Sequence, residues 1–100
     1  MPYDGTHFSP TVVALVEGRR RIEEDWWDGS NPFHGHCAVF AISRQNLGPA
    51  TTHPLTYLAR AIYGSIDPQG IPPWNDAPGR TREEVLAAYD KAIELALADQ

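Results

Sequence analysis

The stretch Trp74-Asn75-Asp76-Ala77-Pro78-Gly79-Arg80-Thr81-Arg82-Glu83-Glu84-Val85 decides how this chain is read. Pro78-Gly79 suits the two central positions of a type II turn, because proline pre-sets the first and glycine accepts the positive φ of the second. Asn75 or Asp76 can close an Asx turn just before it, with Trp74 laid over neighbouring helices as an apolar lid. Thr81 and Glu84 then make a Thr-x-x-Glu capping box, in which each side chain satisfies the other residue's backbone N–H. Acidic residues in the first turn suit the positive end of the helix dipole. Beyond them Val85, Tyr89, Ala92, Ile93 and Ala96 recur on one helical face, with Asp90 and Glu94 outside it.

The same reading extends towards the N-terminus. Ser9 can cap a helix whose first position is Pro10, where the missing donor costs nothing. Val12, Leu15, Val16, Ile22 and Trp26 form its apolar stripe, which predicts a helix over 10–26. Gly18 weakens that helix by roughly 1 kcal/mol relative to alanine, so it marks a close helix crossing or is simply tolerated. Asp28-Gly29-Ser30-Asn31-Pro32 is a cluster of turn formers that ends the unit. Residues 37–45 are apolar and short enough to be a buried strand or a buried helix; their alanines favour helix. Gly48-Pro49 breaks that element and Thr52-His53-Pro54 starts the next, a helix over 54–63 with Leu55, Leu58, Ala59 and Ile62 on one face and Gly64 as its C-terminal cap. Residues 65–80 hold four prolines and read as a long loop. The expectation is a mainly α, single-domain bundle of three to four helices, with residues 1–8 as a tail and a long Pro-rich loop.

Composition narrows the function classes. At 100 residues the chain is one domain, and 42% hydrophobic with 21% charged residues places it among globular proteins. A net charge of −5 opposes attraction to nucleic acid or an anionic membrane, so neither is an expected partner. The run Arg19-Arg20-Arg21 is surrounded by Glu17, Glu23, Glu24 and Asp25 and reads as a solvated, self-neutralised helix face. The single cysteine, Cys37, excludes an intramolecular disulfide and fits a reducing compartment. Met1-Pro2-Tyr3-Asp4-Gly5-Thr6-His7 lacks the basic-then-apolar pattern of a secretory signal, and no apolar run approaches the ~20 residues of a membrane span. A cytoplasmic location is expected.

Three blocks carry a resemblance: Trp26-Trp27-Asp28-Gly29, Cys37-Ala38, and Ile71-Pro72-Pro73-Trp74-Asn75-Asp76-Ala77-Pro78-Gly79-Arg80-Thr81-Arg82-Glu83-Glu84-Val85-Leu86-Ala87-Ala88. With them, from about Thr11 onwards, the chain resembles an uncharacterised family of small proteins from actinobacteria and their bacteriophages, a domain of unknown function. It departs from that pattern at Val39-Phe40-Ala41-Ile42, where glycine, alanine and a small apolar residue would follow the cysteine. The resemblance implies kinship and an accessory protein acting on host machinery, and it brings no catalytic residues with it.

Candidate sites lie in three places. Cys37 opening a helix would feel the dipole that stabilises a thiolate, with His34, His36 or His53 as base; a buried cysteine packed as a small apolar residue is the alternative. His34, His36 and Cys37, joined by His53 or His7, offer zinc-ligand atoms, but no Cys-x-x-Cys or His-x-x-x-His pair sets two of them on one helical face. Trp26 and Trp27 are successive and about 100° apart around a helix, so one of them should face outward. With Phe33, and with Trp74, Asp76 and Arg80 of the turn block, they are the candidate partner-binding residues, since tryptophan and arginine dominate interface energetics. The expected function is a small non-enzymatic protein that binds a protein partner or self-associates, without cofactor or metal. The alternatives are a cysteine-dependent hydrolase or transferase using Cys37 with His34 or His53, and a sponge for a small anion held by Arg80 and the prolyl loop.

Overall fold

The computed structural model describes residues 9–26, 37–43, 45, 47, 48 and 52–99. Within them the chain forms three long helices, α1 (Pro10–Asp25), α3 (Thr52–Tyr63) and α5 (Arg82–Asp99), with two short ones between them, α2 (Phe40–Ser43) and α4 (Ile71–Asn75). The fold is mainly α, as the periodicity predicts, and the segment read as helix or strand holds the short helix Phe40–Ser43.

Local chemistry explains each boundary. Ser9 caps α1, its Oγ accepting from the Val12 N–H at 3.2 Å, and Pro10 fills the first turn. The helix stops where Trp26 turns to an extended backbone. At the end of α3, Gly64 takes φ +75° and donates its N–H to the Arg60 carbonyl at 3.0 Å, the left-handed cap that only glycine takes without strain. The capping box forms as drawn: the Glu84 N–H reaches Thr81 Oγ1 at 3.2 Å, and the Thr81 N–H reaches Glu84 Oε1 at 3.0 Å. That Thr81 N–H is the first cause of a Glu84 carboxyl held below its ordinary range.

The segment read as a 65–80 loop is more ordered than its prolines suggest. Asp67 caps a 3-10 turn over Pro68–Gly70, accepting from the Gln69 N–H at 2.9 Å, and α4 follows at once. Pro68, Pro72 and Pro73 all fall in first turns, where backbone N–H groups lack helical partners, so the residues taken as breakers cost these short helices nothing. The Ala77-Pro78-Gly79-Arg80 turn then closes with Gly79 at φ +84° and the Arg80 N–H on the Ala77 carbonyl at 3.0 Å, a type II turn.

α5 is the central element, packed against α1 on one side and α3 on the other. Its buried residues, Val85, Ala88, Tyr89, Ala92, Ile93 and Ala96, cover a wide arc, and the alanines let both neighbours approach closely. Val12, Leu15 and Ile22 of α1, Leu58 and Ala59 of α3, and Ala38, Ala41, Ile42 and Ile71 complete one core. Gly18 is a crossing point: a Cβ there would stand 2.7 Å from Cε1 of Tyr89. Asp99 ties the far end of α5 to α3, accepting from the Tyr57 hydroxyl at 2.8 Å and from Arg60 at 3.3 Å.

Candidate functional site

The buried side chain with the most demanding chemistry is Asn75, the one buried polar residue among those described. Its Oδ1 accepts from the Trp26 indole Nε1–H at 2.8 Å and from the Ala38 backbone N–H at 3.1 Å, while its Nδ2 donates to Asp76 Oδ1 at 3.0 Å. One amide thereby joins the end of α1, the approach to α2 and the end of α4. Asn75, read from sequence only as one of two residues able to close an Asx turn, is an interior hub, and a buried amide is tolerated because its partners replace the water it has lost.

The tryptophans and Arg80 assemble around that hub. Trp26 and Trp74 are half-buried against the core. The Arg80 guanidinium lies 4.1 Å from the Trp74 ring centroid, donates Nε to the Trp74 carbonyl at 2.9 Å and pairs through Nη1 with Glu84 at 2.9 Å. Its side chain is only 19% exposed. The fold thus brings Trp26, Trp74, Asp76 and Arg80 together, but it turns the Trp26 N–H inward and holds Arg80 against Trp74 and Glu84. Trp27 and Phe33, the other candidates for that surface, lie outside the described residues.

Cys37 is half-buried beside this network. Its carbonyl accepts the Ala41 N–H at 3.1 Å, which opens α2, and it lies close enough to act electrostatically on Tyr89. Tyr89 is fully buried, and its hydroxyl donates to the Ala38 carbonyl at 2.5 Å. Burial, then the neighbouring Cys37, pushes the Tyr89 hydroxyl well above its ordinary value, so it stays a neutral donor.

From Ala38 the chain passes along α1 to Gln45, whose amide donates to the Ala14 carbonyl at 2.9 Å, and to Leu47 beside Pro10 and Thr11. His53 is exposed at that same start of α1, beside Ser9, Thr11, Tyr57 and Asp99. His53 thus shares the start of α1 with Leu47, whereas Cys37 neighbours Tyr89. His34, His36 and His7 lie outside the described residues; among those described, no three His, Cys, Asp or Glu side chains are grouped to hold a metal.

A larger concavity than those beside His53 lies between the outer faces of α1 and α5. This open groove of about 790 Å³ has an apolar floor of Val16, Ile93 and Leu97 and walls of Arg19, Arg20, Glu23, Glu24, Asp90 and Glu94. Arg19 lies between Glu23 and Asp90, 2.6 Å from each, and Arg20 lies between Glu17 and Glu24, 2.5 Å from each. The arginine run is neutralised as its surroundings predict, by Glu17, Glu23 and Glu24 and also, across the helix pair, by Asp90. The Arg20 side chain, then Arg21, draws the Glu17 pKa down from 4.5 to about 2, against the opposing effect of partial burial.

The chain belongs to the Family of unknown function (DUF6197). The match covers residues 11–95, nearly all of α1, the Asn75 hub, the turn block and all but the last turn of α5. No curated protein and no solved structure matches the chain. The groove falls within the family match apart from Leu97, and the reading from sequence missed it. Its floor was visible only as core stripe: Val16 and Ile93 were counted as interior, and Leu97 continues the Ile93 face one turn on. Among the described residues, no helix is long and apolar enough to cross a membrane.

Proposed function

We propose that this protein is a small non-enzymatic binding protein that receives a helical segment of a partner protein in the groove between α1 and α5. The observation that carries this reading is the groove itself, an apolar floor with charged walls on two long helices supported by the core beneath. Rigid paired helices with a partly uncovered apolar seam suit helix-in-groove recognition, where a partner lays its own apolar stripe between them. Beside Cys37 the polar groups serve packing: the Asn75 Oδ1 accepts from the Ala38 N–H, and the Tyr89 hydroxyl donates to the Ala38 carbonyl. On this reading the protein works in the cytoplasm as an accessory factor, in keeping with its resemblance to proteins of actinobacteria and their phages.

A photo-crosslinking residue placed at Leu97, compared with one at exposed Ile66 on the far loop, tests the reading in a host lysate. The crosslinked protein is identified, purified and titrated against the wild type and Val16→Glu. Binding by the purified partner that is lost in Val16→Glu, with helicity retained, supports the groove. A partner whose affinity is indifferent to Val16 and Leu97 refutes it.

A further inference from the structure

The charges around the groove select its occupant, and this inference rests on the groove being the binding site. Two guanidiniums against four carboxylates leave the lining two negative charges in excess. Neither guanidinium is available to a ligand without breaking existing pairs, because Arg19 is shared by Glu23 and Asp90 and Arg20 by Glu17 and Glu24. Glu94, exposed on the α5 wall, has no ion pair among the described residues. On the opposite wall the carboxylates of Glu23 and Glu24 are each 62% exposed, so both remain open to a further cation.

We propose that the groove takes a basic amphipathic helix: an apolar stripe seated on Val16, Ile93 and Leu97, with lysine or arginine on either side facing Glu94 from one edge and Glu23 and Glu24 from the other. Beyond the lining, Val13, 39% exposed, stands one helical turn before Val16 on α1. From Val16 to Glu24 the α1 wall runs roughly 12 Å, and the α5 wall from Asp90 to Leu97 runs about 10 Å, which together accommodate two turns of an incoming helix. An acidic helix meets like charge on both edges. A second copy of this chain brings a net charge of −5 and is disfavoured on the same ground.

Three synthetic helices of about 18 residues, sharing one leucine stripe and flanked by lysine, glutamine or glutamate, separate the possibilities when titrated into the full chain with amide chemical shifts recorded. The expected result is that the lysine helix binds at least ~10-fold tighter than the glutamine helix at low salt, that the gap narrows as salt rises, and that shifts concentrate on Val16, Ile93 and Leu97. Glu94→Lys, an exposed substitution, should lower affinity for the lysine helix and raise it for the glutamate helix. Equal affinity for the lysine and glutamine helices overturns the charge selection while leaving groove binding standing. Absence of binding by all three, or shifts confined to another face, overturns both. A concentration-dependent dimer that buries Val16 and Leu97 overturns the basic-helix assignment in favour of a second copy.

Discussion

Gly18 lies flat against the ring of Tyr89, so close that a methyl group on Gly18 would stand 2.7 Å from Cε1, 3.1 Å from the hydroxyl oxygen and 3.2 Å from Cζ. Tyr89 cannot swing aside, because it is fully buried and its hydroxyl is held by the Ala38 carbonyl. Two effects therefore compete in Gly18→Ala. Helix propensity favours alanine by about 1 kcal/mol, whereas overpacking at a fixed ring costs about 1–3 kcal/mol. Overpacking wins, because the obstacle is a pinned aromatic ring and not the tip of a mobile chain. Gly18→Ala should lower stability in urea unfolding, and Gly18→Ala combined with Tyr89→Phe should recover part of the loss by freeing the ring. A Gly18→Ala protein more stable than wild type would show that the crossing is looser than this.

Asn75→Ala should be among the most destabilising single changes in the chain. It removes the acceptor of the Trp26 indole and of the Ala38 amide while both donors stay in or near the interior, each costing about 1–3 kcal/mol when left unsatisfied. Asn75→Asp keeps an acceptor but loses the Nδ2 donor, setting a carboxylate against the Asp76 carboxylate in a buried position, and should also destabilise. Urea midpoints give the magnitude, and the Trp26 indole N–H resonance reports the broken bond. An unmoved indole resonance in Asn75→Ala would count against the hub.

These two sites differ in how far they can be read from sequence. The Thr81–Glu84 box and the Ala77–Arg80 turn involve partners three residues apart, so their signatures are written in one short stretch and the structure reproduces them. Asn75 has partners 49 and 37 residues away, and nothing near it in the chain announces them; its local context supports an Asx turn equally well. The prolines of 65–80 misled for a related reason, since a proline breaks a helix interior but fits a first turn, and composition does not say which position it occupies. Periodicity likewise marks Val16 and Ile93 as apolar-face residues without indicating where neighbouring helices stop covering that face. The groove is a property of packing, and it was out of reach until α1 and α5 were placed together.

Glu17 should make the fold acid-sensitive. Its folded pKa of about 2 lies below the ordinary 4.5, so the unfolded chain binds the proton more readily. The stabilisation is therefore present in full above pH ~5 and is lost as pH falls from there towards 2. The side chain is 32% exposed, and solvent screening reduces the contribution to about 1 kcal/mol. Glu17→Gln should be less stable than wild type near neutral pH, and the difference should close by pH 2, read from urea midpoints across the range. A difference independent of pH would assign the loss to packing and not to the pairs with Arg20 and Arg21.

Arg80→Lys distinguishes a structural arginine from a docking one. The guanidinium stacks on Trp74, bonds the Trp74 carbonyl and pairs with Glu84, three contacts in different directions that a planar fork can make at once. An ammonium keeps the charge but loses the stacked plane and the geometry of the second bond, at a cost of about 0.5–1.5 kcal/mol. Lower stability with a shifted Trp74 indole resonance is the expected outcome. If Arg80 instead served chiefly to contact a partner, Arg80→Lys would leave the unfolding midpoint where it is and alter only binding. The side chain's low exposure and its enclosure between Trp74 and Glu84 favour the first result, since a residue spent on holding the turn to α5 has little left to offer another molecule.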